Sequence, residues 1–562
     1  MGKKILFVDD DTLVRKSLEN FLKREEYTVV TAASAQEAAN HAMSIDFDVV
    51  ISDVRMPQEN GIVAIQKIKE IYEPKGHICG YILITGYAEE DTPEHAIRLG
   101  IDKFILKPLD INIFRSALLD ELKLVEQARD LSQKPTSTPA PKVSKIPEKI
   151  KLRRAVITGI GVVAPNGIGK EAYWKGLREG KNCVDQITLF DVSTYPSKMA
   201  AEIKNFDPHE FIPQYNEVKR MGRSSHLAIA AAKLALKDSG LSEEAFKSLN
   251  VIVGSGTAGI EYIVPEVRAM ERGGIRKMKP YLGIAGFGGA ISSEISRAIG
   301  AHGFSYTMST GCTSATDAMG YAMRQIRFGL ADAIVTGGAD ACVDPGILGA
   351  FCQMGAVSTR TDDFKKASRP FNKDRDGFVI AEGSWIFLLE EMDRALARNA
   401  TIYGEIVGYG ATCDAWHMSK PHPSGDFTAA AVKEALADAG LNPTDIDIFE
   451  AYGNATPIND SYETGVIKKV FGAHAYKLAV PSVKSMLGHP IGAAGAQQVA
   501  AVLLALSEGF IHPTINYEVP DPDCDLDYVP NKGREGKFNA AVCNSLAFGA
   551  KNASVIIKKF KH

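Results

Sequence analysis

The chain lacks paired cysteines. Its eight cysteines stand apart at 79, 183, 312, 342, 352, 413, 524 and 543, with no CxxC among them. That spacing offers neither a zinc site nor a disulfide framework, and a reducing, cytoplasmic setting is expected. A strong charge of one sign is missing too. The net charge is −4, so a nucleic-acid partner has no electrostatic support. The opening "MGKKILFVDDD" carries an apolar run of only four residues, too short for a signal peptide, and "MGKKIL" lacks the Ser or Thr of a myristoylation signal. No uncharged apolar stretch reaches the ~18 residues of a membrane span, so none is expected. What remains is ordinary for soluble globular protein: 45% hydrophobic and 23% charged residues. A length of 562 residues calls for two or more domains.

Prolines mark the division. "LSQKPTSTPAPKVSKIPEK", residues 131 to 149, sets four prolines among Ser, Thr and Lys, a composition that builds no core. At ~3.1 Å per residue it spans up to roughly 60 Å. The expected layout is a first domain over 1–125, a linker over 126–150 and a second domain over 151–562, with halves near 151–400 and 401–562.

In the first domain, short apolar runs alternate with helical patterns: "KILFVDD", "FDVVISDV", "GYILITGYA" and "KFILKP". This order predicts an α/β, doubly wound, flavodoxin-like parallel sheet with its site at the carboxyl ends of the strands. Asp9 and Asp10 end the first strand, Asp53 the third, Thr85 the fourth and Lys107 the fifth. Three gathered carboxylates repel one another unless a hard cation such as Mg²⁺ joins them. Solvated acids at the ends of an unrelated sheet are the plainer explanation, but five positions match in order. "VDDD", "SDVRMPQENG", "ITGYA" and "LKP" resemble the receiver domain of bacterial response regulators. The resemblance implies that Asp53 accepts a phosphoryl group from a histidine kinase or other phosphodonor. It makes Asp9, Asp10 and Asp53 the Mg²⁺ ligands, sets Thr85 and Lys107 against the phosphate, and gives Phe104 the place of an aromatic switch residue.

In the second domain, "SYTMSTGCTSATDAMGYAMRQIRFG" (305–329) reads as a nucleophile at a strand-to-helix turn. Met319, Ala322, Met323 and Ile326 follow Cys312 at core-facing helical spacing. A cysteine at a helix N-terminus has its thiolate favoured by the macrodipole and free N–H groups, although most cysteines only fill cores. Three more segments join it: "KASRPFNKDRDGFVIAEG" (366–383), "VKSMLGHPIGAAGA" (483–496), read as a Gly-rich loop opening a helix, and "CNSLAFGAKNAS" (543–554), read as a turn-rich loop before the last strand.

With "VITGIGVVAPNGIG", these segments resemble the type-II β-ketoacyl-acyl-carrier-protein synthases over essentially the whole second domain. The resemblance implies a thiolase fold, an αβαβα sandwich of two similar halves. It implies a homodimer, or a heterodimer with another synthase, that needs no cofactor of its own beyond the phosphopantetheine carried by acyl-carrier protein. Cys312 would take an acyl chain from the carrier thioester, and a malonyl-derived carbanion would attack it. Backbone N–H groups of Cys312 and Phe548 would hold the oxyanion, with Phe548 gating the acyl pocket. His489 would stabilise the enolate and Lys484 would organise charge around it. Thr456 and Ser419 would touch the phosphopantetheine arm, as would Asn454 in the same loop. A formal GxGxxG at Gly254, Gly256 and Gly259 has no acid about 20 residues on and no βαβ unit around it, so packing rather than nucleotide binding is expected there.

The loop "AYGNATPIND" departs from the family, which reads Ala-His-Gly-Thr at its start. Tyr452 stands for the His and Asn454 for the Thr. Gln498 stands where a Glu is usual, and Leu546, Ala547, Ala550 and Lys551 are off pattern. Tyrosine donates one hydrogen bond but, with a reference pKa near ~10, is a poor base. The expectation is acyl transfer to Cys312 with malonyl decarboxylation impaired or altered. Two other readings stay open: full condensation on an unusual acyl chain, and a non-catalytic partner or scaffold. The fused receiver suggests regulation.

Overall fold

The computed structural model describes residues 3–56, 59–85, 103–107, 109–133 and 152–561. Most of the Pro-rich stretch and the Phe104 side chain lie outside them. The chain divides into two compact units, 1–149 and 150–562.

The first unit is a five-stranded parallel sheet of β1 (Lys4–Val8), β2 (Thr28–Ala32), β3 (Val49–Asp53), β4 (Gly80–Thr85) and β5 (Lys103–Leu106), in the order β2-β1-β3-β4-β5. Helices α1 (Thr12–Arg24), α2 (Ala35–Ser44), α3 (Gly61–Tyr72) and α4 (Ile111–Gln133) accompany it. Crossing between parallel strands demands helices on the sheet faces, which is why the central strands β1, β3 and β4 are almost wholly buried. The three consecutive acids after β1 divide their work. Asp11 caps α1, accepting from the N–H groups of Leu13 and Val14, while Asp9 and Asp10 face the sheet edge. Helix α4 runs past the boundary expected at 125. Its buried stripe of Phe114, Leu118, Leu122 and Val125 continues to Arg129, whose Nη2 donates to the Ile78 carbonyl at 2.6 Å, so packing carries the helix to Gln133.

In the second unit a mixed sheet runs β8-β7-β9-β10-β6-β11-β14-β13-β12. The strands are β6 (Ala155–Ala164), β7 (Asn250–Gly254), β8 (Ser305–Met308), β9 (Ala333–Ala341), β10 (Ile380–Glu391), β11 (Gly404–Cys413), β12 (Ile448–Glu450), β13 (Ala540–Ala547) and β14 (Lys551–Lys558). Helix α5 (Arg223–Ser239) covers β6 and β10, and α7 (Asp426–Ala439) covers β11 and β14. Helix α8 (Pro457–Phe471) flanks α7. Two further helices, α6 (Ser314–Arg327) and α9 (Ala494–Glu508), pack on each other and on strands of both halves. They form the middle layer, which completes the αβαβα sandwich. The stretch Ile491–Glu508 is long and apolar enough to cross a membrane, unlike the expectation from sequence, but 89% of it is buried inside the protein as this central layer.

The halves repeat a packing device that sequence reading missed. In β6, a Cβ at Gly159 or Gly161 would strike the carbonyls of Ala235 or Ala231 in α5 at 2.2 and 1.9 Å. In β11, Gly408 and Gly410 meet Ala435 and Ala431 of α7 in the same way, at 2.1 and 2.2 Å. Asp238 accepts from the Ile160 N–H and Asp438 from the Tyr409 N–H. The signal was present as "AAAKLALKDSGL" and "AAVKEALADAGL", both ending in a left-handed Gly C-cap.

"CNSLAFGAKNAS" is a β-hairpin and not a loop: β13 reaches Ala547 and β14 begins at Lys551. Its polar residues hid the strands because each is buried against a distant partner. Asn544 donates to Glu463, Ser545 lies 2.8 Å from the Thr316 hydroxyl, and Asn552 donates to Asp414.

Candidate active site

Cys312 sits in the turn between β8 and α6, two residues before the helix begins, with Met319, Ala322, Met323 and Ile326 fully buried below it. The helix approaches because Gly254 lacks a side chain: a Cβ there would lie 2.3 Å from the Ala315 nitrogen. Gly256 admits Ile491 and Gly492 in the same way. Asp340 then gathers the N–H groups of Gly256, Thr257 and Gly492 at 2.9, 3.1 and 2.7 Å. The GxGxxG stretch therefore seats the Cys312 turn. Gly311, at φ +71, lies under the hairpin tip, where a Cβ would meet Ala547 at 3.3 Å and the Phe548 carbonyl at 3.6 Å. That juxtaposition brings Cys312 and Phe548 together.

Four of the expected residues converge. The His489 Nε2 lies 3.3 Å from the Cys312 Sγ and 3.2 Å from the Tyr452 hydroxyl. Phe378 stands edge-on to the His489 ring, 5.2 Å between centroids, and fixes its plane. The Lys484 ammonium lies 5.1 Å from the centre of the Tyr452 ring. All four residues are buried. Lys484 opens a one-turn helix, Lys484–Leu487, where a loop was expected.

Burial governs the charges. It pushes the Cys312 thiol up to about 11, against the expectation of a helix-favoured thiolate, although Tyr452 and Lys484 pull the other way. Burial lowers Lys484 to about 8 despite the pull of Glu450 and Glu463. His489 is driven well below its ordinary value by burial and then by Lys484, so it is a neutral imidazole able to accept the thiol proton. Tyr452 is raised well above its ordinary value by burial and then by Cys312, and stays a phenol that donates. Lys484 Nζ and His489 Nδ1 are buried without a hydrogen-bond partner, the condition of groups that await a substrate or water. The consequence is measurable. Alkylation of Cys312 by iodoacetamide, followed by peptide mass spectrometry, should rise with pH toward a midpoint near 11 and not the usual 9. Tyr452→Phe removes a hydrogen bond that favours the thiolate, so it should slow alkylation at every pH below that midpoint.

The Tyr452 loop is held by Glu463, which sequence reading passed over, and by Asp460 and Gln498, to which it gave no role. Glu463 in α8 accepts from the N–H groups of Tyr452 and Gly453 at 2.8 and 2.9 Å and from the Asn544 amide at 2.6 Å. Asp460 accepts from the N–H groups of Ala455 and Phe371. Gln498 donates to the carbonyls of Glu450, Ala451 and Asn544. Their signal in the sequence was acids and an amide on helices with no local partner. The constraint is strong enough to keep Ala455 at φ +67, a conformation that costs ~1–3 kcal/mol.

The expected arm-binding residues are divided: Ser419 lines the cleft over Tyr452, while Asn454 is buried beside Thr456. The Asn454 Oδ1 accepts from the Thr456 hydroxyl at 2.9 Å, and Thr456 caps α8. Ser419 lines a cleft with Tyr452, Asn459 and Phe548. Neither Asn454 nor Thr456 is among the residues lining it. The cleft holds about 20 Å³, room for about one water molecule. A larger groove of about 810 Å³, lined by Lys233, Lys237, Phe246 and His302, includes none of these residues.

Comparison with known proteins decides the lineage. Residues 152–395 match the N-terminal domain of β-ketoacyl synthases and 403–518 match the C-terminal domain. The chain belongs to the β-ketoacyl synthase family. It also carries a response regulator receiver domain over 5–119. It is 39% identical over 414 residues to 3-oxoacyl-[acyl-carrier-protein] synthase 2 of Synechocystis sp., covering 73% of this chain and 99% of that protein. It is 40% identical over 409 residues to the enzyme of that name from Coxiella burnetii, covering 72% and 99%. Among solved structures it resembles the ishigamide ketosynthase/chain length factor, with a TM-score of 0.69 and 36% identity over 73% of this chain and all of that one. It also resembles a type II polyketide ketosynthase solved with its acyl-carrier protein, AntDE:AntF, with a TM-score of 0.67 and 31% identity over the same shares. The synthase unit thus has the thiolase fold.

In the receiver unit, Asp9, Asp10 and Asp53 each place a carboxylate oxygen within 4.8 Å of the others. Lys107 reaches Asp53 at 3.0 Å and Asp9 at 3.7 Å, and Thr85 ends β4, buried. Burial, with Asp53 adding to it, raises the Asp9 carboxyl. One Asp9 oxygen is buried without a hydrogen bond. A buried, unsatisfied carboxylate beside two others is what a hard cation fits. Phe104 lies in β5.

Proposed function

We propose that this chain is a receiver-regulated β-ketoacyl-acyl-carrier-protein synthase of fatty acid or polyketide biosynthesis. Cys312 accepts an acyl group, and Tyr452 impairs or alters malonyl decarboxylation. One observation carries this reading: a single neutral imidazole, His489, faces the thiol, and a phenol fills the other side at 3.2 Å from it. The His489 Nε2 takes the Cys312 proton as sulfur attacks the thioester carbonyl, and the proton passes to the arm's sulfur as the old thioester bond breaks and the arm leaves as a thiol. Tyr452 then supplies one neutral donor where, by resemblance, relatives place a second imidazole. It also narrows the space that malonyl must occupy.

The partners follow from the same reading: an acyl-carrier protein bearing phosphopantetheine, a phosphodonor for Asp53, and a second synthase subunit, identical or not. Eight free thiols suit a reducing, cytoplasmic compartment. In the receiver, Asp9, Asp10 and Asp53 would hold Mg²⁺, which when bound neutralises phosphoryl oxygens. Asp53 would accept the phosphoryl group, with Lys107 and Thr85 beside it.

Intact-mass spectrometry tests this. Acyl-carrier protein should leave an acyl adduct on Cys312, and malonyl-carrier protein should release it as β-keto product slowly or not at all. Fast release would favour full condensation, and no adduct would favour a partner role. The same assay with a small-molecule phosphodonor should respond in the wild type and not in Asp53→Ala, and identical behaviour of the two would end the regulatory reading.

A further inference from the structure

Behind the Tyr452 loop lies a buried pair of ionisable groups. Glu450 ends β12, two residues before Tyr452, and His512 stands just beyond α9; each is 1% exposed. The His512 Nε2 lies 3.0 Å from the Glu450 Oε2, and its Nδ1 lies 3.2 Å from the Pro513 carbonyl. Both ring nitrogens therefore face oxygen acceptors. A neutral imidazole donates from one nitrogen only, whereas an imidazolium donates from both. Burial opposes a charge on His512, but Glu450 and the Pro513 carbonyl outweigh it and raise the ring above its ordinary value.

The other oxygen of Glu450 turns toward the site. Its Oε1 accepts from the Val483 N–H at 3.0 Å, at the start of the one-turn helix that Lys484 opens. The same carboxylate acts on the ammonium. Burial depresses Lys484, and Glu450 is the foremost of the charges that hold its proton, ahead of Glu463, Cys312 and Asp460. Among the described residues the Lys484 Nζ has no hydrogen-bond partner, so this hold acts through space. Tyr173 and Cys543 also lie in the field of Glu450, but burial keeps both protonated. One carboxylate is thus shared between an imidazolium and an ammonium, in an interior where charges are poorly screened.

We propose that Glu450 and His512 are positioning residues of the Cys312 site: Glu450 seats the Lys484 turn and supplies its counter-charge, and the His512 imidazolium moderates that charge. Lys484 in turn favours the Cys312 thiolate. The pair does not depend on the acyl-transfer reading, and its test needs no acyl donor.

The test is the pH dependence of Cys312 alkylation by iodoacetamide, read by peptide mass spectrometry on the full chain. Lys484 supports the thiolate only while it is charged, so the climb of the wild-type rate with pH should slacken near pH 8. Glu450→Gln keeps an acceptor for Val483 but removes the charge. Lys484 then gives up its proton sooner, and the slackening should fall to ~7 or below. His512→Gln keeps a donor to Glu450 but removes the imidazolium. Glu450 then holds the Lys484 proton harder, and the slackening should rise to ~8.5 or above. Glu450→Asp keeps the charge on a shorter stem and should stay nearer the wild type than Glu450→Gln. A merely structural role moves Glu450→Gln and His512→Gln in the same direction and makes Asp worse than Gln. Either of those results, or a profile that none of the variants shifts, would overturn the proposal. Should Glu450→Gln fail to fold, His512→Gln decides alone: an upward shift supports the pair, and no shift or a downward one removes it.

Discussion

Tyr452→His should raise release of β-keto product from acyl-Cys312 by ~10²–10³-fold, the effect of restoring one donor at a developing oxyanion. The substitution works at a site already built for it. The backbone of residue 452 is held by Glu463, independent of the side chain, so a new imidazole inherits the position. It is shorter than the phenol, which enlarges a cleft that now has room for about one water. It stands beside Lys484, which lacks a hydrogen-bond partner, and so would be kept neutral as His489 is. Acylation of Cys312 should change less, because His489 keeps its own contact to the thiol when residue 452 is replaced. Chase kinetics with malonyl-carrier protein, read by intact mass, separate the two steps. An unchanged chase rate with normal acylation would mean that Tyr452 does not limit condensation.

Glu463→Ala should be the most damaging single change to the site's framework, costing about 3–5 kcal/mol. Three donors converge on this carboxylate and it is fully buried. Truncation leaves the N–H groups of Tyr452 and Gly453 and the Asn544 amide without a partner. Each such group costs ~1–3 kcal/mol when buried, and a cavity adds to the loss. The backbone of the Tyr452 loop and the hairpin bearing Phe548 lose a common anchor at once. Glu463→Gln should be milder, since its oxygen still accepts from one side while its NH₂ opposes a donor on the other. Urea titration of the full chain, followed through the synthase unit's transition, should rank wild type above Gln above Ala. Equal midpoints for wild type and Ala would show that water replaces the carboxylate.

Much of this was legible in the order of residues. Features carried by neighbours in the chain could be read directly. A cysteine at a strand-to-helix turn, acids at the ends of parallel strands, a proline-rich break and a helical apolar stripe each signal themselves within a few residues. So the two units, the place of Cys312 at its turn and the gathering of the receiver acids were accessible to sequence alone. The tertiary structure decided what depends on distance along the chain. Tyr452 meets His489 across 37 residues, and His489 meets Cys312 across 177. The thiol is raised and not lowered because burial outweighs its place at a helix start, and burial is a property of the whole fold. The strands of the Phe548 hairpin were hidden because their polar side chains find partners 81 to 229 residues away. Helix α4 outran its expected end because Arg129 reaches back to Ile78. Local chemistry is written in adjacent letters; desolvation and long-range hydrogen bonding exist only once the chain has closed on itself.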